Sequence, residues 1–339
     1  MFEHLYHQGD SLQDKSILVT GGAGFIGSNI VEYLLKYGCK RIVVLDNLST
    51  GYYKNIAPFL AQYTNLEFIE GSITDLETCK KACQNIDIIC HQAAMGSVPR
   101  SIAEPHVTVS NNIDGFVNMV LAAKEAGIKR FVYASSSSVY GDEPNLPKVE
   151  ERIGKPLSPY AISKWSNEVF AQNFATLYGI DFIGFRYFNV FGQRQSPKGA
   201  YAAVIPLWVE AALKNQPAYI NGDGTQTRDF TYVENIVQIN ILAMLTNNKA
   251  ALNQVYNVGC GGRYSLIELH GAINKAAHKT MAPIHRDARV GDVQDSQANI
   301  DKAKMLLNYN PLFDFQEGLN ETVKAMQQIL QEEQRASKA

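Results

Sequence analysis

The feature that most constrains the fold is a glycine-rich loop between two apolar segments near the N-terminus. The first segment, Ser16 to Thr20, is typical of a short buried strand, and Gly21-x-x-Gly24-x-x-Gly27 follows it. Phe25 to Tyr37 then has helical apolar spacing, and Arg41 to Leu45 indicates a second strand that ends at Asp46. This order predicts a βαβ unit, in which the two strands run parallel.

Four more apolar segments predict further strands of the same sheet. They are Leu66 to Glu70, Ile86 to Cys90, Phe131 to Ala134 and Phe182 to Arg186, separated by helix-like segments near 75–84, 111–126 and 160–178. Such alternation predicts an α/β fold with a doubly wound parallel sheet, covered by helices on both faces. Beyond about Asn189, glycines and prolines interrupt the pattern, which predicts a smaller C-terminal α/β lobe packed around a cleft.

Composition excludes several classes of function. The 339 residues are 46% hydrophobic and 19% charged, with a formal net charge of −2. That charge gives no electrostatic reason to expect a nucleic acid or a membrane as partner, and no stretch approaches the ~18 apolar residues of a spanning helix. The N-terminal residues lack the pattern of a signal peptide, so we expect a cytoplasmic location. The five cysteines form no Cys-x-x-Cys pair, and we expect neither disulfides nor a metal site.

The glycine loop has the pattern of a dinucleotide site. Its glycines permit a tight turn and let a pyrophosphate approach backbone N–H groups at a helix N-terminus. Asp46 can hydrogen-bond ribose hydroxyls and would repel a 2′-phosphate, and no arginine occupies 47–49. We therefore expect NAD rather than NADP. The expected contacts in this region are Gly21, Gly24, Phe25, Ile26, Gly27, Asp46 and Asn47.

Two later segments are further candidates for cofactor contacts. Gln92, Ala93 and Ala94 follow the fourth strand, where small residues let the chain pass close to the cofactor, although an ordinary βα turn also explains them. Asn111 is placed either to contact the loop behind the serine run or to cap a helix.

Tyr160 and Lys164 indicate the chemistry. Residues four apart share a helix face, so the Lys164 ammonium can stabilise the ionised phenol of Tyr160. A phenol titrates near pH ~10, so a base at neutral pH needs a nearby cation or a nicotinium charge to lower its pKa. The serine run Ser135 to Ser138 lies upstream. Together with the glycine loop, these residues indicate a nicotinamide enzyme that acts on a carbinol.

The combined motifs resemble the extended short-chain dehydrogenase/reductase superfamily, and within it the UDP-hexose 4-epimerases, over nearly the whole chain. Arg186 to Gly192 and Arg228-Asp229-Phe230 are similar to two of its signatures. The resemblance implies a Rossmann domain over 1–189, with 1–15 as an N-terminal extension, and a UDP-sugar lobe over 190–339, with chain crossings between the two. It also implies a homodimer formed through helices of the Rossmann part.

The serine run distinguishes between members of this superfamily. Related 4,6-dehydratases carry Asp-Glu where this chain has Ser137-Ser138, and related decarboxylases carry a Glu in this stretch. The resemblance therefore implies epimerisation: Tyr160 takes the C4 hydroxyl proton, hydride passes to tightly bound NAD, and hydride returns to the other face of the 4-keto sugar. Ser136 would hydrogen-bond the C4 oxygen with Ser137 as second participant, and Lys164 would also hold the nicotinamide ribose.

The resemblance assigns further contacts residue by residue. Ser72 stands where the family often has Asp, next to Ile73, and can still hydrogen-bond adenine. The implied nucleotide-sugar contacts are Asn189 near the diphosphate, Ala203 and Val204 near uracil, Tyr219 and Asn221 near the base or ribose, Arg228 and Arg289 at phosphate, and Asp292 at ribose. Two arginines suit a dianionic diphosphate, although each is equally explained as a surface ion pair.

The identity of the hexose depends on three small residues. Ser296 stands where a bulky tyrosine narrows the sugar pocket in part of the family, so it favours an N-acetylated sugar. The loop Gln92 to Ser101 resembles that of bacterial UDP-N-acetylglucosamine 4-epimerases of surface-polysaccharide pathways, which would make Gly96 and Ser97 face the sugar. The same subgroup includes enzymes for UDP-N-acetylglucosaminuronate, for which Arg100 is a candidate cation. The residues are also compatible with a UDP-sugar oxidoreductase with net NAD turnover, and with a non-catalytic NAD-sensing module.

Overall fold

A seven-stranded parallel sheet forms the centre of the computed structural model, which describes residues 2–7, 12–199, 202–287 and 294–336. The strands in these ranges are β1 (Ser16–Thr20), β2 (Arg41–Asp46), β3 (Leu66–Glu70), β4 (Ile88–His91), β5 (Arg130–Ser136), β6 (Asp181–Tyr187), β7 (Val190–Phe191), β8 (Tyr219–Asn221), β9 (Thr227–Arg228), β10 (Thr231–Tyr232), β11 (Gln254–Val258), β12 (Tyr264–Ser265) and β13 (Ile284–Arg286). The order across the main sheet is β3-β2-β1-β4-β5-β6-β11.

Helices cover both faces of this sheet. Those in the described ranges are α1 (Phe25–Lys36), α2 (Ala57–Gln62), α3 (Leu76–Ala82), α4 (Val98–Ala103), α5 (Pro105–Val109), α6 (Gly115–Glu125), α7 (Pro159–Tyr178), α8 (Val204–Leu213), α9 (Val233–Leu245), α10 (Leu266–Ala276), α11 (Asp301–Leu307) and α12 (Phe315–Ala336). Helices α1 and α9 pack on one face, and α3, α6 and α7 pack on the other. The α/β doubly wound fold predicted from the sequence is confirmed.

The strands are apolar throughout because both of their faces are buried. All residues of β1 are buried, and β2 is buried from its second residue onward, with Ile42 and Val43 fully inaccessible. A continuous apolar run of this kind suits a parallel sheet that is covered on both sides. The strand order reverses between β1 and β4, and the carboxyl ends of these strands therefore border a crevice.

The C-terminal part contains its own apolar core and also returns to the main sheet. Phe191, Trp208, Phe230 and Phe315 belong to one buried cluster that lies among α8, α10 and α12. Strand β11, however, pairs with β6 along its whole length. The division of the chain at 189/190 therefore remains a prediction, with β11 and α9 as two elements that cross it.

The N-terminal residues 2–7 pack against α1 and α9. Phe2 is fully buried, and the Tyr6 ring stacks on Tyr33 with ring centroids 4.6 Å apart. The Tyr6 hydroxyl donates a hydrogen bond of 2.9 Å to Glu234. In the ranges that the structure describes, no helix has both the length and the apolar character needed to span a membrane.

Candidate active site

Glycine is required at two positions of the turn between β1 and α1. Gly21 has a φ of +68°, and a side-chain carbon there would lie 2.8 Å from the backbone N of Ala93. A side-chain carbon at Gly27 would lie 2.2 Å from the Gly21 carbonyl oxygen. Helix α1 begins directly after Gly24, and its first N–H groups have no partner within the helix. The turn therefore presents a helix N-terminus that suits an anionic group.

Asp46 is held against this turn by backbone hydrogen bonds. Its carboxylate accepts from the N–H of Ala23 at 3.0 Å and from that of Leu48 at 2.8 Å. Burial raises the pKa of Asp46, and these N–H donors oppose that rise. Each carboxylate oxygen keeps lone pairs beyond the one used, so Asp46 can also accept from ribose hydroxyls. The glycine cradle and this carboxylate together fit a dinucleotide without a 2′-phosphate.

Most of the candidate residues line one cleft of about 560 Å³. The cofactor candidates in its wall are Gly21, Gly24, Phe25, Ile26, Gly27, Asp46, Asn47, Ile73, Gln92, Ala93, Ala94 and Asn111. The catalytic and sugar candidates in its wall are Ser136, Ser137, Tyr160, Lys164, Gly96, Asn189 and Ala203. The tertiary structure thus brings together residues from the ends of β1, β2, β4, β5 and β6.

The serine run ends β5 and turns into the cleft. Ser136 accepts hydrogen bonds from the Ser138 hydroxyl at 2.8 Å and from the Ser138 N–H at 3.2 Å. Ser137 begins a short 3-10 turn, Ser137–Tyr140, and also lines the cleft. Ser138 therefore holds the Ser136 side chain in place, while Ser136 and Ser137 face the site.

Helix α7 carries the tyrosine and the lysine. The Ser158 hydroxyl caps the helix by accepting from the Ala161 N–H at 3.1 Å, and Pro159 stands in the first turn. This start places Tyr160 and Lys164 one turn apart at the beginning of the helix. Lys164 is only 2% exposed, and its Nζ donates to the Ala134 carbonyl at 2.9 Å.

The electrostatics of this pair differ from the sequence-based expectation. Burial raises the pKa of Tyr160, and a hydrogen bond with Ser136 opposes the rise. We expected Lys164 to lower this pKa, but the lysine ammonium is bonded to the Ala134 carbonyl. Burial also lowers the pKa of Lys164 to about 8. In the protein alone, desolvation is thus the largest influence on the pKa of both groups.

Several predicted contacts, one to the cofactor (Ser72) and the others to the substrate, lie away from the lining of this cleft. Ser72, Ser97, Val204, Tyr219, Asn221, Arg228 and Ser296 are not among its lining residues. The guanidinium of Arg286 lies 3.4 Å from the Tyr219 ring centroid, and Arg228 donates to the Thr227 carbonyl at 2.8 Å. Ser296 donates its N–H to the same Thr227 carbonyl. Arg289 and Asp292 lie outside the described residues.

Asn112 supports the cleft wall from behind and was not anticipated from the sequence. It lies in a π-helical turn, Ser110–Asp114, and its amide accepts from the Met95 N–H at 2.7 Å and donates to the Met95 carbonyl at 3.2 Å. It also donates to the Ser163 hydroxyl on α7 at 3.0 Å. The neighbouring Asn111 lines the cleft and donates to Val107. A polar residue on the buried side of a helical pattern was the available signal.

Other cleft residues were also not anticipated. Ser49, Thr50 and Gly51 line the cleft from the loop that follows β2, and Tyr187 and Lys198 line it from the end of β6 and the segment beyond. The first three could have been found from their position, because the loop after the second strand borders the adenosine side of a dinucleotide site.

The fold and the site define a nicotinamide-dinucleotide enzyme with a Ser-Tyr-Lys wall. The chain belongs to the NAD-dependent epimerase/dehydratase family, which it matches over residues 17–259. The enzyme is therefore NAD-dependent, as the residues of the glycine turn and Asp46 indicated.

Individual relatives cover almost the whole chain. A putative UDP-glucose 4-epimerase of Methanocaldococcus jannaschii is 37% identical over 312 residues, which are 91% of this chain and 98% of that protein. The UDP-N-acetylglucosamine 4-epimerase of Methanobrevibacter ruminantium, solved with UDP-N-acetylmuramic acid, is 38% identical with a TM-score of 0.88, over 94% of this chain and 99% of that one. The UDP-glucose 4-epimerase of Thermus thermophilus, solved with NAD, is 34% identical with a TM-score of 0.82, over 92% and 99%.

Proposed function

We propose that this protein is a UDP-sugar 4-epimerase that interconverts UDP-N-acetylglucosamine and UDP-N-acetylgalactosamine through a 4-keto intermediate. The observation that carries the proposal is one cleft lined by the glycine turn, by Ser136, Tyr160 and Lys164, and by Gly96. A side-chain carbon added at Gly96 would meet no atom within 4 Å, so this wall leaves room for an N-acetyl group. The three relatives described above are named as 4-epimerases, which supports the same class of reaction.

Tyr160 and Ser136 are the residues of the catalytic wall that act on the C4 hydroxyl. Tyr160 accepts the proton of the C4 hydroxyl and returns it, and Ser136 donates a hydrogen bond to the C4 oxygen as it becomes a carbonyl. Ser137 is the second hydroxyl within the same wall. Bound NAD would supply a reversible hydride acceptor for C4, which would make the reaction redox-neutral overall.

The raised pKa of Tyr160 has a consequence for this role. Its phenol stays protonated in the protein alone, because burial disfavours the charged form. The positive charge of an oxidised nicotinamide and the Lys164 ammonium both favour the phenolate. Tyr160 thereby becomes a base only when the oxidised cofactor is in place, which suits an enzyme that keeps NAD bound through the cycle.

The lining of the cleft disfavours elimination and decarboxylation. Among the described residues of its wall, Asp46 is the one carboxylate, and it lies at the glycine turn. Water elimination from a hexose needs an acid and a base beside the sugar in addition to Tyr160. Ser137 and Ser138 occupy the positions where the related 4,6-dehydratases carry Asp and Glu. The Ser138 hydroxyl donates a hydrogen bond to Ser136.

The nucleotide half of the substrate is proposed to lie toward the C-terminal lobe. Asn189 and Ala203 line the cleft there, and Val204 is the first residue of α8. Tyr219, Asn221 and Arg228 are proposed nucleotide contacts that lie outside the lining, and Arg289 and Asp292 belong to the same proposal. Ser97 and Ser296, also outside the lining, are proposed contacts to the sugar.

Two alternatives to this function remain, one with a different substrate and one with a different reaction. UDP-N-acetylglucosaminuronate is favoured by Arg100, which lines the cleft and contacts the Met95 sulfur at 3.9 Å. A UDP-sugar oxidoreductase would use the same wall but release reduced cofactor in each turnover. We further propose a cytoplasmic enzyme that supplies hexosamine for surface polysaccharides.

The decisive experiment compares three sugar nucleotides by proton NMR without added cofactor. UDP-N-acetylglucosamine should convert to UDP-N-acetylgalactosamine faster than UDP-glucose or UDP-N-acetylglucosaminuronate converts to its epimer, with no accumulation of NADH. Tyr160→Phe should abolish conversion while NAD stays bound, whereas the surface control Tyr53→Phe should still catalyse the conversion. Faster conversion of UDP-N-acetylglucosaminuronate would refute the hexosamine hypothesis and indicate the uronate as substrate. Steady formation of NADH would refute epimerisation and indicate net oxidation of the sugar.

We also propose a homodimer formed through α7. Ile162, Trp165 and Val169 are 47%, 40% and 51% exposed on one side of this helix, an apolar stripe that a second copy would cover. Trp165→Glu should convert the dimer to a monomer in sedimentation velocity, whereas Met305→Glu on α11 should not. A wild-type monomer at micromolar concentration would contradict the proposal.

A further inference from the structure

A buried ion pair lies directly behind the catalytic wall. Glu168 on α7 is 7% exposed, and Arg186 near the end of β6 is 4% exposed. Nε and Nη2 of Arg186 donate to the two carboxylate oxygens of Glu168 at 3.0 and 2.8 Å. The Ser135 hydroxyl donates to the same carboxylate at 2.5 Å. The pair therefore joins α7, β5 and β6 at the point where each element contributes to the site.

The remaining donors of Arg186 are also oriented. Its Nη1 donates to the Glu150 carbonyl at 2.9 Å, and its guanidinium lies 4.9 Å from the Tyr140 ring centroid. These contacts fix the guanidinium in one position. A buried ion pair of this kind is nevertheless weak evidence for stability, because desolvation of both charges offsets their attraction. Its position suggests another role.

Lys164 is the group that this pair can influence. It lies one helical turn before Glu168, and residues four apart on a helix are neighbours. Burial disfavours its charged form and lowers its pKa to about 8, and the charge of Glu168 opposes that effect. No Asp or Glu other than Asp46, at the glycine turn, lines the cleft among the residues that the structure describes.

The other groups around Lys164 do not supply a negative charge. Tyr160 on the same helix stays protonated in the protein alone, and His91 on β4 is kept neutral by burial, with its pKa lowered to about 3. β5 contributes the Ala134 carbonyl, the uncharged serines and Tyr133, whose pKa burial raises well above its usual value. Arg186 on β6 is a cation, and its charge is paired with the same Glu168 carboxylate.

We propose that Glu168, clamped by Arg186 and Ser135, is a positioning residue that keeps Lys164 protonated and directed into the cleft. The inference rests on the proposed role of Lys164 beside the nicotinamide. It explains why a costly buried pair stands behind the serine run. It also gives a role to the Ser135 hydroxyl, which donates to the Glu168 carboxylate.

Two variants break the same ion pair but make opposite electrostatic predictions. Glu168→Gln keeps the shape and removes the negative charge, so the pKa of Lys164 should fall by about one unit or more. Arg186→Met removes the positive charge and leaves the carboxylate, so the pKa of Lys164 should rise or stay unchanged. Glu234→Gln, which removes a buried carboxylate bonded to Tyr6 on α9, is the matched control and should leave the lysine titration unchanged.

The titration is measured by NMR on protein labelled with ¹³C at the lysine side chains. The Lys164 signal is assigned by its loss in Lys164→Arg, and thermal unfolding confirms that each variant is folded. A fall of the pKa in Glu168→Gln alone supports the proposal. A fall in both variants, in neither or in Arg186→Met alone overturns it, because a purely structural role would affect both variants in the same direction.

Activity supplies a second readout. The alkaline limb of the kcat profile should move to lower pH in Glu168→Gln by the same amount as the titration, with KM for the UDP-sugar little changed. A titration shift without any epimerase activity in the wild type would refute the proposed function and leave the counter-ion role intact. Activity with an unmoved alkaline limb in Glu168→Gln would refute the counter-ion role alone.

Discussion

Replacing Gly27 by alanine tests the geometry of the cofactor turn most directly. The added carbon would lie 2.2 Å from the Gly21 carbonyl oxygen and 2.8 Å from the Gly21 carbonyl carbon, more than 1 Å inside ordinary contact with that oxygen. Because both neighbours are backbone atoms, no rotamer change can relieve the overlap. Helix α1 must therefore move away from the turn by about 1 Å, which is enough to break N–H donors to a bound diphosphate.

The expected magnitude follows from the lost hydrogen bonds. Hydrogen bonds to a charged group contribute about 1.5–3 kcal/mol each, so the loss of two costs about 3 kcal/mol or more. That corresponds to a decrease in NAD affinity of at least about a hundredfold. Overpacking costs a further ~1–3 kcal/mol of folding stability, partly offset by the helix preference of alanine over glycine, which is about 1 kcal/mol.

The assay measures the NAD content of the purified protein, the NAD affinity of the stripped protein by calorimetry, and urea unfolding. Gly271→Ala on α10 is the matched control, because its added carbon meets no atom within 4 Å. It should keep NAD and gain about 0.5–1 kcal/mol of stability. Stoichiometric NAD and an affinity within about threefold of wild type in Gly27→Ala would refute the reasoning.

Three further predictions concern other parts of the site and lobe. Asp46→Asn should weaken the binding of NAD and reduce the preference for NAD over NADP in calorimetric titrations, because the carboxylate that binds ribose and repels a 2′-phosphate is gone. An unchanged ratio of the NAD and NADP affinities would contradict this. Gly96→Leu should lower kcat/KM for UDP-N-acetylglucosamine more than for UDP-glucose, whereas Gly96→Ala, with open space around its methyl group, should act on both alike. Burial raises the pKa of Asp229 to about 6, so its contribution to stability is greatest below about pH 4 and is lost as pH rises through about 6. The stability advantage of wild type over Asp229→Asn in urea should therefore shrink by up to about 3 kcal/mol over that range.

The strands and the glycine turn could be predicted because their signals are local. The apolar runs of β1, β2 and β3 have the bounds expected from the sequence, and the strand expected at Ile86 to Cys90 lies at Ile88–His91. Short helices such as α4 and α5 were not anticipated, because each is too short to show a helical period.

The electrostatics of the site could not be predicted from spacing. Tyr160 and Lys164 are four apart, which suggested direct stabilisation of the phenolate. The structure instead bonds Lys164 to Ala134, and burial dominates the pKa of both groups. Burial depends on which elements pack around a residue, and this information is absent from a local pattern.

The sequence by itself determined the parallel sheet, the glycine turn and the pairing of a tyrosine with a lysine, because these depend on periodicity and on residues near each other in the chain. Only the tertiary structure decided which side chains meet behind the cleft. Glu168 contacts Ser135 and Arg186 across 33 and 18 residues, and Asn112 contacts Ser163 across 51. Such contacts arise from the packing of α7 and the π-helical turn on the sheet, where burial favours arrangements in which polar groups are hydrogen-bonded.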